Sequence, residues 1–290
     1  MSILLLGATG YIGSEFVRVL NNRHVKAFSW LRSPGFDYCN RTTLRCAIQE
    51  EKATVVINCA AFVKEGVVDK CEDDKAQTLA SNLALPVMLA EECQRAGVTL
   101  LHVSTGCLFN GDNGGKGWSE TDEPQLSFNT KCGVYVGAKE LAERFVRQYE
   151  KHYICRIRLP FDRFDHHRNY LSKLQYYPKV VRATNSLSHR GDFVNACLDL
   201  LKLKAPFGTY NVTNPGWVKS TELCTMLKSA GLKNNFEFWD DKEFMEKVAR
   251  TPKSNCILNV DKLLATGVTM RPVWEAVEDS VHRWLVETVI

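Results

Sequence analysis

Residues 3–22 read I-L-L-L-G-A-T-G-Y-I-G-S-E-F-V-R-V-L-N-N, and the pattern changes twice along them. Residues 3–6 are a short, continuous apolar run, which predicts a strand buried on both faces. Residues 14–22 place Phe16, Val17 and Leu20 at helical spacing. Between the two, Gly7, Gly10 and Gly13 form a G-x-x-G-x-x-G turn. Glycines in that position permit a tight turn and let a pyrophosphate approach the N–H groups that open the helix. The stretch predicts the first unit of a dinucleotide-binding fold, a purely structural glycine turn being the alternative.

The alternation continues for roughly the first 160 residues. Strands are expected at 25–30, 55–58 and 153–159, and helices at 43–51, 75–96 and 139–149. Another apolar run leads into S-T-G-C-L-F, residues 104–109. Strands alternating with helices predict an α/β fold, a Rossmann doubly wound parallel sheet covered on both faces. Beyond Phe161 the alternation fails, and Pro178, Pro206, Pro215, Pro252 and Pro272 punctuate shorter elements. A smaller mixed α/β substrate domain is expected there. The expected division is 1–160 for the Rossmann domain, with 186–205 returning to it through a helix over 191–203, and 161–185 plus 206–290 for the second domain.

Composition narrows the class. With 290 residues, 45% of them apolar, the chain can bury a large core. The formal charge of +4 is scattered, without the basic block that marks a nucleic-acid arm or an anionic-membrane patch. The 11 cysteines are odd in number and none has C-x-x-C spacing, so reduced thiols in a cytoplasmic protein, with no metal site, are expected. The opening M-S-I-L-L-L-G lacks a basic leader region, and no apolar run is long enough to span a bilayer; neither secretion nor membrane insertion is expected.

Two further patterns carry chemistry. No carboxylate ends the second strand, where an acid would bind a ribose 2′-hydroxyl; Trp30, Leu31 and Arg32 stand there, and Arg32 facing a 2′-phosphate favours NADPH. Tyr135 and Lys139, four apart at the start of a helix, share a face. A lysine ammonium beside a phenol lowers its pKa and readies it to exchange a proton with a carbonyl oxygen.

With Ser104-Thr105 at a strand end, the combination resembles the extended short-chain dehydrogenase/reductase family. That resemblance implies a Rossmann domain joined to a small nucleotide-sugar domain, with proton transfer by Thr105, Tyr135 and Lys139. I-N-C-A-A (57–61), V-D-K-C-E (68–72), Asn82, E-T-D-E-P (120–124) and A-R-T-P-K-S-N-C-I-L (249–258) are similar to dTDP-4-dehydrorhamnose reductases over nearly the whole chain. Those enzymes usually read S-T-D-Y-V-F where this chain has S-T-G-C-L-F. That departure, with R-N-Y-L-S-K-L (168–174) and Y-N-V-T-N-P-G (210–216), is closer to bifunctional nucleotide-rhamnose synthases, which are both 3,5-epimerase and 4-reductase on a 4-keto-6-deoxyhexose.

The resemblance assigns Cys107 as the base that removes the protons at C3 and C5, and Lys173 as the acid opposite it. A thiol is a usable base once a cationic neighbour stabilises its thiolate. Cofactor contacts are implied for Gly7, Thr9, Gly10, Tyr11, Ile12, Gly13, Arg32, Asp37, Ala60, Ala61, Asn82, Tyr135, Lys139 and Pro160. Substrate contacts are implied for Cys107, Asn169, Lys173 and Arg250, the last chosen from a loose basic set with Lys179, Arg182, Arg190 and Lys253. The substrate expected is a UDP- or dTDP-linked sugar, and a homodimer is among the assemblies admitted. Plainer readings stand beside these: Cys107 as a buried thiol, Lys173 as a solvated lysine, His102 as core, and a reductase alone or a non-catalytic NADP-binding regulator.

Overall fold

The computed structural model describes residues 1–30 and 39–288. Its elements run β1 (Ile3–Leu6), α1 (Tyr11–Asn22), β2 (Ala27–Trp30), α2 (Arg41–Glu50), β3 (Val55–Asn58), α3 (Lys75–Leu79), a π turn (Ala80–Ala84), α4 (Leu85–Ala96) and β4 (Thr99–Thr105). They continue with α5 (Val134–Val146), β5 (His152–Ile157), β6 (Pro160–Phe161), α6 (Tyr170–Tyr176), β7 (Lys179–Val181), β8 (Thr184–Asn185), β9 (Ser188–His189), α7 (Arg190–Lys202) and β10 (Gly208–Asn211). The last are β11 (Val218–Lys219), α8 (Ser220–Ser229), β12 (Glu237–Trp239), α9 (Asp241–Lys247), α10 (Asp261–Leu264) and α11 (Val273–Thr288). Among the described residues no helix is long and apolar enough to cross a membrane, and no disulfide joins the cysteines.

Six strands form one parallel sheet in the order β10-β5-β4-β3-β1-β2. All four residues of β1 are fully buried. Ile3 and Leu5 pack with Phe16 and Leu20 of α1 and Val194 and Cys197 of α7, while Leu4 and Leu6 pack with Leu44 and Ile48 of α2 and Leu85 and Leu89 of α4. A strand with no solvent face must be apolar throughout, which is why residues 3–6 read as an unbroken run. The helix at 190–202 does return to the face that holds α1, but β10, assigned from the sequence to the smaller domain, is the sixth strand of the main sheet.

The helix expected over 75–96 is interrupted by the π turn. Pro86 has no N–H for the carbonyl of Asn82 four residues before it, so a regular helix loses a bond there. The wider turn absorbs the defect and leaves Asn82 pointing inward, where its amide accepts from Phe62 N–H at 3.0 Å and donates to the Phe62 carbonyl at 2.8 Å. A separate core of Phe161, Leu171, Leu174, Leu187, Leu223, Leu227 and Val277 binds together β6, α6, α8, α11 and the residue before β9. Short pairs β6–β9, β7–β12 and β8–β11 complete that region. Leu159, between β5 and β6, sits at φ 36°, a left-handed conformation costly for a branched side chain.

Arg156 of β5 is wholly buried, and its guanidinium bonds Glu143 of α5 at 2.8 Å and 3.1 Å. Removing the carboxylate leaves a buried charge unpaired, so Glu143→Ala is expected to lower stability by about 3–5 kcal/mol. The urea unfolding midpoint measures this, and an unchanged midpoint would show that Arg156 finds another partner.

Candidate active site

At the carboxyl end of β1 the chain turns sharply. Gly7 has φ +77°, and a Cβ there would meet Ala60 N at 2.5 Å; a Cβ on Gly13 would meet the Gly7 carbonyl at 2.0 Å. The turn therefore packs backbone on backbone against the end of β3. Gly10 N–H bonds the Gly7 carbonyl at 3.0 Å, and Gly10 opens α1 with no side chain capping it. Uncapped N–H groups at a helix start, beside a turn with no side chains, suit a pyrophosphate. A crevice of about 270 Å³ lies there, with Gly7, Thr9, Gly10, Ala60, Ala61 and Ser81 among its lining residues. It opens between β1 and β3, where the strand order reverses, the usual place for a ligand in a doubly wound sheet.

The other expected cofactor residues fall differently. Asn82 braces Phe62 and so shapes the crevice wall through backbone, with both ends of its amide spent. Tyr11 of α1 is buried facing the smaller region, stacked on His166 at 4.6 Å with Arg190 against its ring. Ile12 is packed against the α1–α7 core, and Pro160 opens β6. Arg32 and Asp37 lie outside the described residues.

At the end of β4, Thr105 Oγ1 accepts the Cys107 N–H at 3.1 Å, and the Thr105 hydroxyl lies close enough to Tyr135 to act on its phenol. Tyr135 stands in the first turn of α5, with Lys139 one turn on. The tyrosine was expected to have a lowered pKa, and the structure reverses this. Burial raises it above its ordinary value, Cys107 and Cys71 add to the rise, and Arg168 and the Thr105 hydroxyl oppose it. Lys139 Nζ is turned away, donating to the Val103 carbonyl at 2.8 Å and lying 3.4 Å from His102 Nε2.

His102, read from the sequence as core, is buried behind that lysine. Asn58 Oδ1 takes the Ala60 N–H at 3.0 Å, so its Nδ2 donates to His102 Nδ1 at 3.1 Å and the imidazole proton is left on Nε2, facing Lys139. Burial, then the Lys139 charge, hold His102 well below its ordinary pKa, so the ring is neutral. Burial brings Lys139 down to about 8, opposed by Glu143 and Cys59.

Cys107 is half-buried, and its Sγ accepts a hydrogen bond from Arg158 Nη1 at 2.9 Å. Lys173, half-buried on α6, donates to the Gly66 carbonyl at 3.2 Å. Its pKa is lowered by burial and by Arg168, while the nearby Cys107 raises it. Lys173 is therefore within electrostatic reach of the residue it was expected to work with. Cys132 packs in the same apolar cluster as Cys107 and Tyr135.

Two expected substrate residues are engaged with protein partners. Asn169 is wholly buried; its Oδ1 caps α6 through Leu171 N–H at 2.9 Å, and its Nδ2 bonds the Asp162 and Phe164 carbonyls at 2.8 Å and 2.7 Å. It holds a loop together and has no polar atom to spare. Arg250 is exposed and forked onto Asp73 at 2.7 Å and 3.1 Å, a surface pair beside the turn at 68–73. Of the wider basic set, Arg190 is paired with Asp162 at 2.7 Å, Lys179 with Glu237 at 3.4 Å, and Lys253 with Asp69. Among the described residues no group of three or more His, Cys, Asp or Glu is placed to hold a metal ion.

The family profile of the RmlD substrate-binding domain matches residues 1–285. The chain belongs to that family. It is 28% identical over 270 residues to a bifunctional dTDP-4-dehydrorhamnose 3,5-epimerase/dTDP-4-dehydrorhamnose reductase of Arabidopsis thaliana, covering 90% of this chain and 86% of that one. It is 29% identical over 272 residues to a trifunctional UDP-glucose 4,6-dehydratase/3,5-epimerase/UDP-4-keto-L-rhamnose reductase of the same plant, and there spans only 39% of the relative. Among solved structures, a UDP-rhamnose synthase of Acanthamoeba polyphaga mimivirus superposes with TM-score 0.87 at 22% identity, covering 97% of this chain and 98% of that one. A Bacillus anthracis dTDP-4-dehydrorhamnose reductase in complex with NADP superposes with TM-score 0.76 at 21% identity over 99% of both chains. At such identities these two show the shared fold.

The buried amine has a measurable signature. In the unfolded chain Lys139 titrates near 10.5 and in the folded one near 8, so between those values the unfolded chain binds the extra proton. Stability from this group therefore rises with pH across that window. Wild type is expected to gain up to about 3 kcal/mol relative to Lys139→Met between pH 8 and 10.5. Denaturation curves at several pH values check it; parallel pH profiles would show an ordinary lysine.

Proposed function

We propose that this chain is an NADPH-dependent 4-reductase of a nucleotide-linked 4-keto-6-deoxyhexose and also its 3,5-epimerase, forming a nucleotide-L-rhamnose-type sugar. The observation that carries the reading is the meeting of Thr105, Cys107 and Tyr135 beyond the end of β4, with Lys173 close enough to feel the Cys107 charge. Support comes also from the bifunctional Arabidopsis relative, matched over 86% of its length, in which both activities are named. The Rossmann part, residues 1–160 with 186–205 and β10, holds NADPH, and the remainder holds the nucleotide sugar. Gly7, Gly10, Gly13, Thr9, Ala60 and Ala61 would cradle the dinucleotide.

The reduced nicotinamide, when bound, supplies a hydride. Thr105 Oγ1 and Tyr135 Oη hold the C4 oxygen of the sugar by hydrogen bonds, which strengthen as negative charge grows on that oxygen in a site shielded from water. Tyr135 then gives its proton to the C4 alkoxide; its raised pKa keeps it protonated at neutral pH, the state a donor needs. Lys139 Nζ, held on the Val103 carbonyl, fixes α5 on β4 and so keeps Tyr135 in place.

In the epimerisation the same two hydroxyls stabilise an enolate oxygen at C4. Cys107 Sγ removes the proton from C3 or C5, and Lys173 Nζ delivers one from the opposite face. The thiol proton and the lysine proton then exchange with water, restoring both groups. No oxidant or reductant enters these steps.

Incubation with NADPH and UDP- or dTDP-4-keto-6-deoxyglucose in deuterated water, followed by NMR, is expected to give a 4-reduced L-sugar labelled at C3 and C5. Reduction without label leaves a reductase that relies on a separate epimerase; no NADPH oxidation with either nucleotide overturns the enzymatic reading. Tyr135→Phe is expected to lower turnover by about 10²–10⁴-fold while cofactor binding persists. Cys107→Ser should abolish labelling at C3 and C5 yet keep reduction of an already epimerised 4-keto-L-sugar, because a hydroxyl is too weak a base near neutral pH. Undiminished labelling in that variant would place the base elsewhere.

A further inference from the structure

We propose that Arg158 is a positioning residue for Cys107: its guanidinium aims the sulfur into the site and holds a fixed positive charge against it. The inference rests on the reading of Cys107 as the epimerising base. Arg158 follows the last residue of β5 and is only 3% exposed. Its backbone is pinned on both sides, since its N–H donates to Ser188 Oγ at 3.1 Å and its carbonyl accepts the Ser188 N–H at 2.8 Å. Its side chain is pinned too: Nη1 donates to Cys107 Sγ at 2.9 Å, and Nη2 donates to Asn185 Oδ1 at 2.5 Å and to the Ser254 carbonyl.

What the guanidinium lacks is a carboxylate. Arg156, two residues earlier, is equally buried but neutralised by Glu143 at 2.8 Å. Among the described residues every hydrogen-bond partner of Arg158 is a neutral oxygen or a sulfur, and its Nε has none. A buried charge without a counter-charge is costly, so the structure must offer it an anion or a place for one. The groups beside it able to become anions are two thiols, Cys256 and Cys107, and the phenol of Tyr170. Burial raises the pKa of Tyr170 and keeps it protonated. Cys256 is committed otherwise, donating its S–H to the Gly106 carbonyl at 3.2 Å, and burial raises its pKa. Cys107 remains, already the acceptor of a charge-assisted bond and half-open to the site.

Gly106 lies between the two. A Cβ at that position would stand 2.6 Å from Leu258 Cδ1, whose end would have to shift, and 3.5 Å from the Arg158 side chain, in ordinary contact. The arginine therefore lies along the S-T-G-C loop at van der Waals distance on its way to the sulfur.

Iodoacetamide labelling of the enzyme without substrate, followed site by site by mass spectrometry at pH 7, reads the sulfur directly. Cys107 in the wild type is expected to react at least about tenfold faster than the exposed Cys39 and Cys46, although it is less accessible. Arg158→Gln should erase that advantage, leave Cys39 and Cys46 unchanged as a control for folding, and be partly rescued by Arg158→Lys, which keeps the charge. With substrate, deuterium incorporation at C3 and C5 should fall at least about tenfold in Arg158→Gln, while reduction of the epimerised 4-keto-L-sugar falls much less. A wild-type Cys107 no faster than Cys39 and Cys46 overturns the proposal, even if Arg158→Gln fails to fold. So does an Arg158→Gln enzyme whose Cys107 labels like the wild type. Fast, arginine-dependent labelling in a protein that exchanges no deuterium supports the role of Arg158 and rejects the epimerase reading instead.

Discussion

A buried amine ties a helix to the sheet at the point where chemistry is needed. Strand β3 ends opposite His102, and at the next residue of β4 the Val103 carbonyl takes its donor from Lys139 Nζ at 2.8 Å. That bond sets how α5 lies on β4, and so sets Tyr135 against Thr105. Behind it, Asn58 and His102 carry the constraint to Ala60 and the wall of the crevice, which the Gly7 turn touches backbone to backbone. The glycine turn and the Thr105–Tyr135 corner are thus linked through one chain of contacts at the carboxyl ends of β1, β3 and β4.

Much of this was legible in the sequence because its signals are local. The unbroken apolar run at 3–6, the three glycines and the four-residue spacing of Tyr135 and Lys139 each express a constraint within a few residues of chain. The pairing of Thr105 with Cys107 was legible for the same reason. The membership of β10 in the main sheet was not, because Gly208–Asn211 is matched only by a partner some 55 residues earlier, β5. The bonds that Asn169 and Arg250 make were not legible for a related reason. Their segments resemble those of sugar-binding enzymes, but a motif does not say whether a side chain is already engaged, and here the Phe164 carbonyl and Asp73 engage them.

Arg158 was the residue that sequence reasoning passed over, yet R-I-R at 156–158 carried a signal. Two arginines at the end of a strand otherwise reading as core require partners, since burial opposes a lone charge. One partner, Glu143, lies on α5; the other is the sulfur of Cys107. The contrast between them shows how one strand end serves stability and chemistry at once. A neutralised arginine holds the fold, and its neighbour, with no carboxylate partner among the described residues, is available to the sulfur. The phenol shift was misjudged because it depends on depth: burial outweighs any single neighbour at Tyr135, and Lys139 points elsewhere.

The sixth strand comes late in the chain. Before Gly208–Asn211 can join β5, the polypeptide has made β6, α6, β7, β8 and β9, which belong to the smaller region, and has come back through α7. Until then β5 is an uncovered edge with free backbone groups, the kind of edge that pairs with strangers. On the ribosome, where residues emerge in order, most of the sheet can assemble early but must wait with that edge open. The two regions consequently share one maturation step, and a chaperone that shields strand edges has a defined interval in which to act.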